Sequence, residues 1–367
     1  MAKLRLDKYR LLEALAPVLG FLASLVVLLI MAALVGETPA SALSAIAKST
    51  VGSGARVATV FSVAAPLFLS GLAVSLAFRA NVFNIGVEGQ YFIGALVGAL
   101  AGIYLPLPRA IHLPVVVLAA MAGGALWAAI PAVLKITKGI HEVISTIMFN
   151  NIAFALANYL VNGPLSGRGA QSLEAQTRKI LPSALFGKLN PWFRAIGINV
   201  PDYVYMDYTL IVALIMGVLV WFVLFRLRFG FEIRAVGTSL EVSRYAGIPV
   251  KRTQLAVFLM SGALAGLIGM QEVFAIRGHY TFEIASGLGF DGIAIALIGR
   301  NSPVGVLLAA ILFAFLKQAG YGLQLRTAVP FSIIYVITGL MILFIVVINE
   351  IVTRYIRGLR KKEVSQT

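Results

Sequence analysis

The chain has 367 residues, 60% hydrophobic and 12% charged, where a soluble domain is about 45–50% apolar. Its apolar residues fall in continuous runs rather than alternating every second residue. That excludes a water-soluble globular domain and an outer-membrane barrel and indicates an all-α polytopic membrane protein. The net charge of +15 reads as basic loops that fix orientation, not as a nucleic-acid footprint, and the absence of Cys excludes disulfides, thiolate catalysis and thiolate metal sites.

Ten apolar segments follow in chain order, at about 15–36, 57–78, 82–104, 112–134, 140–161, 208–226, 253–276, 284–299, 303–323 and 331–350. Lys3, Arg5, Lys8 and Arg10 precede the first, and Ala40-Ser41-Ala42 resembles a signal-peptidase site. The run is longer than the about 7–15 residues of a signal-peptide core, so it is read as the first membrane helix. With the N-terminus (1–14) inside, the inner segments collect most Lys and Arg, including Arg79, Lys135, Lys138, Arg300 and the basic tail 351–367. Ten crossings with both termini inside is the consistent topology.

The third and eighth segments are Gly-rich and interrupted by polar residues, which suggests broken or tilted helices. The third opens with Asn81-Val-Phe-Asn84-Ile-Gly-Val-Glu88-Gly-Gln90. Ionisable residues within a span face a cavity or a partner; at the boundary, the same residues would only cap a helix. Gly94, Gly98 and Gly102 recur every four residues, as do Gly262 and Gly266, a signature of close helix packing.

In the fifth segment Glu142, Thr146 and Asn150 are spaced i, i+4, i+8, and Ala153 and Ala157 extend the stripe. Such a stripe faces another helix or a permeation path rather than lipid. His141-Glu142 lacks the second His of a zinc-protease helix, and His112, His141 and His279 lie far apart, so no metal site is expected.

Two loops are long. The outer one, 162–207, holds Pro164, Pro182, Pro191 and Pro201 with Trp192 and Phe193, and reads either as an interfacial cap or as a docking surface. The inner one, 227–252, holds Thr238 and Glu241 at capping-box spacing, then Gly247 and Pro249 as stop signals. A short helix over about 239–246, surrounded by basic residues, is expected there.

Gly86-Val87-Glu88-Gly89 recurs as Gly289-Phe290-Asp291-Gly292, each at a weak segment and entering from opposite sides, the arrangement of an inverted repeat. No Walker A loop, Gly-x-Ser-x-Gly elbow or nucleophile–base constellation occurs, so no catalytic residue is assigned and active transport would need an ion gradient or a partner ATPase.

Together the 81–90 stretch, Lys138-Gly-Ile-His-Glu-Val-Ile-Ser-Thr-Ile-Met-Phe-Asn150-Asn151, the 237–248 stretch around Gly247 and Gly289-Phe-Asp291-Gly-Ile-Ala-Ile-Ala-Leu-Ile-Gly299 resemble the permease subunits of bacterial ABC importers. The class is that of ribose-type and branched-chain amino acid permeases, and the first two motifs are closest to the nucleoside (guanosine-type) branch. The resemblance covers about 55–350. It implies a single transmembrane permease domain over 1–367 of the type II importer kind, in the bacterial cytoplasmic membrane. It also implies a second, related permease, a cytoplasmic ATPase that uses the ATP, and a periplasmic or lipid-anchored binding protein, with no cofactor in this chain and no nucleic acid.

It places the coupling helix at Glu241, Arg244, Tyr245 and Gly247. Asn84, Glu88, Gln90, Glu142, Asn150 and Asp291 are the candidates for a nucleoside path, on polarity and placement. A simple-sugar permease is the alternative within the class, and an ion-coupled secondary transporter the alternative outside it.

Overall fold

The computed structural model describes residues 32–167, 174–195, 197, 200–202, 204–281, 284 and 287–327, with scattered positions of 19–30 and 336–358. The chain forms two compact units, Met1–Val60 with Leu312–Thr367, and Phe61–Ile311.

In the first unit, helix α1 (Pro39–Thr50) starts where the Thr38 hydroxyl accepts the Ser41 amide and Pro39 takes the first helical position. Its inner face, Ala42, Ala45 and Ile46, packs with Leu28, Ala32, Leu316, Ala319 and Leu323. Ala40-Ser41-Ala42 therefore lies inside a helix.

The remaining elements are α2 (Gly54–Arg79), α3 (Val87–Tyr104), α4 (Arg109–Lys138), α5 (Glu142–Asn162), α6 (Asn190–Ala195), α7 (Tyr208–Arg226), α8 (Arg228–Thr238), α9 (Leu240–Tyr245), α10 (Val250–Gly266), a π-helical turn (Gln271–Arg277), α11 (Leu288–Ile298) and α12 (Pro303–Arg326). Among the described residues seven helices are long and apolar enough to cross a membrane: α2, α3, α4, α5, α7, α10 with its π-helical extension, and α12. The expected segment 284–299 yields only α11, whose 11 residues rise about 16 Å against a hydrocarbon thickness of about 30 Å. Alone it is too short to cross. The expected first and last segments, 15–36 and 331–350, lie largely outside the described residues, as do 1–14 and most of 351–367.

The core of the second unit is α3 clasped by α4 and α10. Backbones meet directly: a β-carbon on Gly94 would strike the Gly266 backbone, one on Gly124 the Gly262 carbonyl, and one on Gly266 the Ala120 carbonyl. Only glycine permits that approach. The expected helix packing of Gly94, Gly98, Gly262 and Gly266 is met, with Gly124 of α4 supplying the facing surface, whereas Gly102 lies against the Ile180 and Phe274 side chains. Helices α4, α5 and α7 turn large apolar side chains outward, among them Leu126, Met148, Tyr159 and Val218, as lipid-facing helices do.

The 162–207 segment is stitched to the end of the α10 extension. Thr177 N donates to Tyr280 O at 2.9 Å, Ile180 N to Gly278 O at 2.9 Å, and Phe186 N to Phe274 O at 3.0 Å. Asp207 caps α7 through the Thr209 amide at 2.8 Å, and its other oxygen accepts from Gln271 Nε2 at 2.9 Å.

Candidate functional site

The chain breaks helical geometry at Asn81, which has φ of 54°, and resumes it at Val87. Between them Asn84 is fully buried and makes four hydrogen bonds. Its Nδ2 donates to Gln90 Oε1 at 2.9 Å and Ser261 Oγ at 2.8 Å; its Oδ1 accepts from Gln90 Nε2 at 2.9 Å and Gly86 N at 3.1 Å. Asn84 and Gln90 thus form a reciprocal amide pair inside the apolar core, where an unmet polar group would cost about 1–3 kcal/mol. Ser261 passes the network on, donating to Ala73 O of α2 at 2.7 Å.

Asn150 of α5 completes the α3 start. Its Oδ1 accepts Gly89 N at 2.8 Å and its Nδ2 donates to Ile85 O at 3.0 Å, satisfying an orphan amide of the first turn. The stripe of Thr146, Asn150 and Ala153 therefore packs on the α3 start, with the Thr146 and Ala153 β-carbons 3.1 and 3.0 Å from where side chains on Gly86 and Gly89 would begin.

Glu88 joins the two related motifs. Its carboxylate accepts Gly287 N at 2.6 Å and Gly289 N at 2.7 Å, the amides that open α11. The acid also sits in the first turn of α3, so one carboxylate lies at the positive ends of two helices. Gly289 is required here, because a β-carbon would stand 2.6 Å from the Glu88 amide nitrogen. Ser70 of α2 holds the same turn, donating to Leu288 O at 2.7 Å. Asp291 is buried in the first turn of α11, its amide bonded to Gly287 O at 2.9 Å.

Glu142 takes a separate position. It pairs with Lys135 at 2.5 Å and accepts the Phe83 amide at 3.3 Å, tying the α4–α5 corner to the 82–86 stretch between α2 and α3. Asn84, Glu88, Gln90 and Asn150 are brought together with the α11 start; Glu142 borders them at the corner. Ser261 and Ser70 complete the set and were missed by sequence reasoning. The only signal for Ser261 is its place next to Gly262 in the small-residue stripe.

The 227–252 segment differs from expectation. It holds two helices, α8 and α9, rather than one. Thr238 does not cap: its hydroxyl donates back to Arg234 O at 2.9 Å and closes α8. Ser239, with φ of −158° and ψ of 121°, is the cap, accepting the Val242 amide at 3.3 Å. The capping box from Thr238 to Glu241 is therefore not formed. The stop is as expected: Gly247 is left-handed at φ of 76°, with Gly247 N bonded to Arg244 O at 3.0 Å and Ile248 N to Ser243 O at 2.9 Å. Helix α9 buries Ser243 but leaves Glu241, Arg244 and Tyr245 outside, Tyr245 at 94% exposure. Among the described residues no group of three or more His, Cys, Asp or Glu is placed to hold a metal ion.

Residues 56–346 match the family described as branched-chain amino acid transport system / permease component. The chain belongs to that family. It is 36% identical to the guanosine ABC transporter permease protein NupP of Bacillus subtilis, over 96% of this chain and 97% of that protein. It is 35% identical to the glucose ABC transporter permease protein TsgB13 of Haloferax volcanii, over 94% and 89%. It is 31% identical to the nucleoside ABC transporter permease protein NupB of Lactococcus lactis, over 92% and 90%. No solved structure matches the chain. ABC permease subunits are transport components rather than enzymes, which accords with the lack of a nucleophile–base constellation in the sequence.

Proposed function

We propose that the chain is the permease subunit of an ABC importer and carries nucleosides across the membrane by alternating access. The single observation that carries the substrate class is the end-to-end similarity to a guanosine permease, 36% over 96% of the chain. The similarity to a glucose permease at 35% supports a sugar as the second reading. Within the chain, Glu88, Asn150 and Asp291 frame the substrate path, Asn84 and Gln90 hold the buried joint beneath them, and Glu142 stands at its border. A nucleoside offers ribose hydroxyls and purine nitrogens, which amides and carboxylates match.

Exchange of the Glu88 carboxylate between the α11 amides and a substrate hydroxyl is how a path would open without leaving a charge bare. The two Gly-apolar-acid-Gly motifs are copies in an inverted repeat, and their meeting through Glu88 supports that reading. The Lys and Arg distribution favours cytoplasmic termini and ten membrane-entering segments, of which 284–299, with its 11-residue α11, does not cross by itself. A cytoplasmic ATPase docks on α9, where the exposed Glu241, Arg244 and Tyr245 present a capped, rigid element. A second, related permease and a periplasmic or lipid-anchored binding protein complete the importer.

The test is uptake of labelled guanosine or adenosine in cells carrying the whole transporter operon, with and without this gene, under excess unlabelled ribose. Gene-dependent uptake that ribose does not suppress supports the nucleoside reading. Entry of labelled ribose or another sugar instead, with no nucleoside uptake, moves the substrate to the sugar class.

A further inference from the structure

Arginines gather around two exposed rings where α2 and α7 end and α8 runs past them. Arg79 closes α2 and Arg226 closes α7. The guanidinium carbons of Arg79 and Arg234 lie 5.7 and 5.5 Å from the centroid of one ring, Phe225. That of Arg226 lies 5.6 Å from the centroid of Trp221, whose ring tilts against Phe225 at 6.4 Å. Arg79 Nε donates to Asn301 O at 2.8 Å, but Arg234 Nη1 is buried with no acceptor among the described residues. No carboxylate among those residues pairs with Arg79, Arg226 or Arg234; Glu232, the acid nearest Arg234 in sequence, sits 3.8 Å from Arg228.

Two guanidinium groups gathered at one ring, with no carboxylate among the described residues beside them, concentrate positive charge there. An anion with several acceptor oxygens, taken up by the outward N–H groups of these forks, would offset the gathered charge. The surface leading away from the arginines is apolar: Val218, Trp221, Phe222 and Phe225, spaced along one side of α7, are 65%, 39%, 47% and 42% exposed. A free anion has no use for that face. An amphiphile fits both halves.

We propose that Arg79, Arg226 and Arg234 bind the phosphate headgroup of an anionic phospholipid, whose acyl chains lie along the Val218–Phe225 side of α7. The bound lipid fastens the ends of α2 and α7 to α8, the helix that leads into α9. The inference does not depend on the transported substrate.

The test extracts the full-length chain, in the assembly it forms in the membrane, and counts retained lipid by native mass spectrometry. Phosphatidylglycerol adducts should persist where phosphatidylcholine adducts do not. In the Arg79→Gln/Arg234→Gln double variant their affinity should fall about thirtyfold, from about fivefold per arginine at an anionic surface. Arg56→Gln, at the opposite end of α2 from Arg79, should leave it unchanged.

Adducts unaltered by the double variant, equal retention of phosphatidylcholine, or displacement by millimolar inorganic phosphate would overturn the assignment. Should the double variant fail to insert, wild-type protein still decides. Quenching of Trp221 fluorescence, taken as the difference from Trp221→Phe, should be stronger with brominated phosphatidylglycerol than with brominated phosphatidylcholine. Equal quenching by both contradicts the proposal.

Discussion

Glu88 accepts two backbone amides of α11 while sitting in the first turn of α3, so its charge and both oxygens are in use. Glu88→Gln keeps one acceptor, turns an N–H donor toward an amide, and should lower the stability of the purified protein by about 1–3 kcal/mol. Thermal unfolding in detergent reads this directly; an unchanged midpoint would mean the carboxylate does not hold the joint. Asp207 gives a pH-dependent counterpart. Burial pushes its carboxyl above the usual range, against hydrogen bonds from Thr209 and Gln271 that favour the charged form. A raised folded value means that the folded state holds the proton more tightly. The associated stability is present below the ordinary carboxylate pKa of about 3.9 and is lost as pH rises through the folded value. Unfolding midpoints should fall with rising pH across that window in the wild type relative to Asp207→Asn. A difference between the two that is independent of pH would remove the effect from this group. Neither role was legible beforehand. Glu88 stood out as an acid in an apolar run, but its partners lie some 200 positions away, and no spacing rule reaches that far.

At the scale of elements, helix α9 is held at both ends, by Ser239 and Gly247, and presents Tyr245 to solvent. Gly247→Pro both loses the N–H that bonds Arg244 O and demands a negative φ where 76° is observed. It should abolish ATPase docking. Tyr245→Ala leaves the fold untouched and should weaken docking about thirtyfold, the order of a central aromatic anchor. Pull-down of the ATPase by the membrane-inserted variants checks both, and wild-type binding by both would take docking away from α9. The stop signals of this helix were readable because left-handed glycine followed by proline is a local rule. The start was misread by one residue because Thr238 and Ser239 are both capping types, and the choice was made by tertiary contact: α8 continues to Thr238, where Gly237 packs against the Arg79 carbonyl. Helix α8 itself was invisible for the same reason, since its short buried face of Gly230, Ile233 and Val236 does not stand out from the neighbouring span.

Over the whole molecule, hydropathy located the seven spans found among the described residues, and the glycine stripes located the central packing. Both are properties of one helix and its immediate surroundings. A change at the α4–α10 contact therefore has a defined cost: Gly124→Ala places a methyl against the Gly262 carbonyl, where backbone cannot step aside, and should destabilise by about 1–3 kcal/mol. The Gly-rich, interrupted character of segment 284–299 marked it as weak, but hydropathy did not set the length of the 11-residue helix it yields. The central claim is that this chain is a passage opened by a partner's ATP hydrolysis, and the alternative of a different class is coupling to an ion gradient. The most direct measurement is guanosine uptake into proteoliposomes holding the chain with the proposed second permease, ATPase and binding protein. Uptake should require ATP and persist when an uncoupler collapses the proton gradient. Uptake that proceeds without ATP and stops with the uncoupler would contradict it.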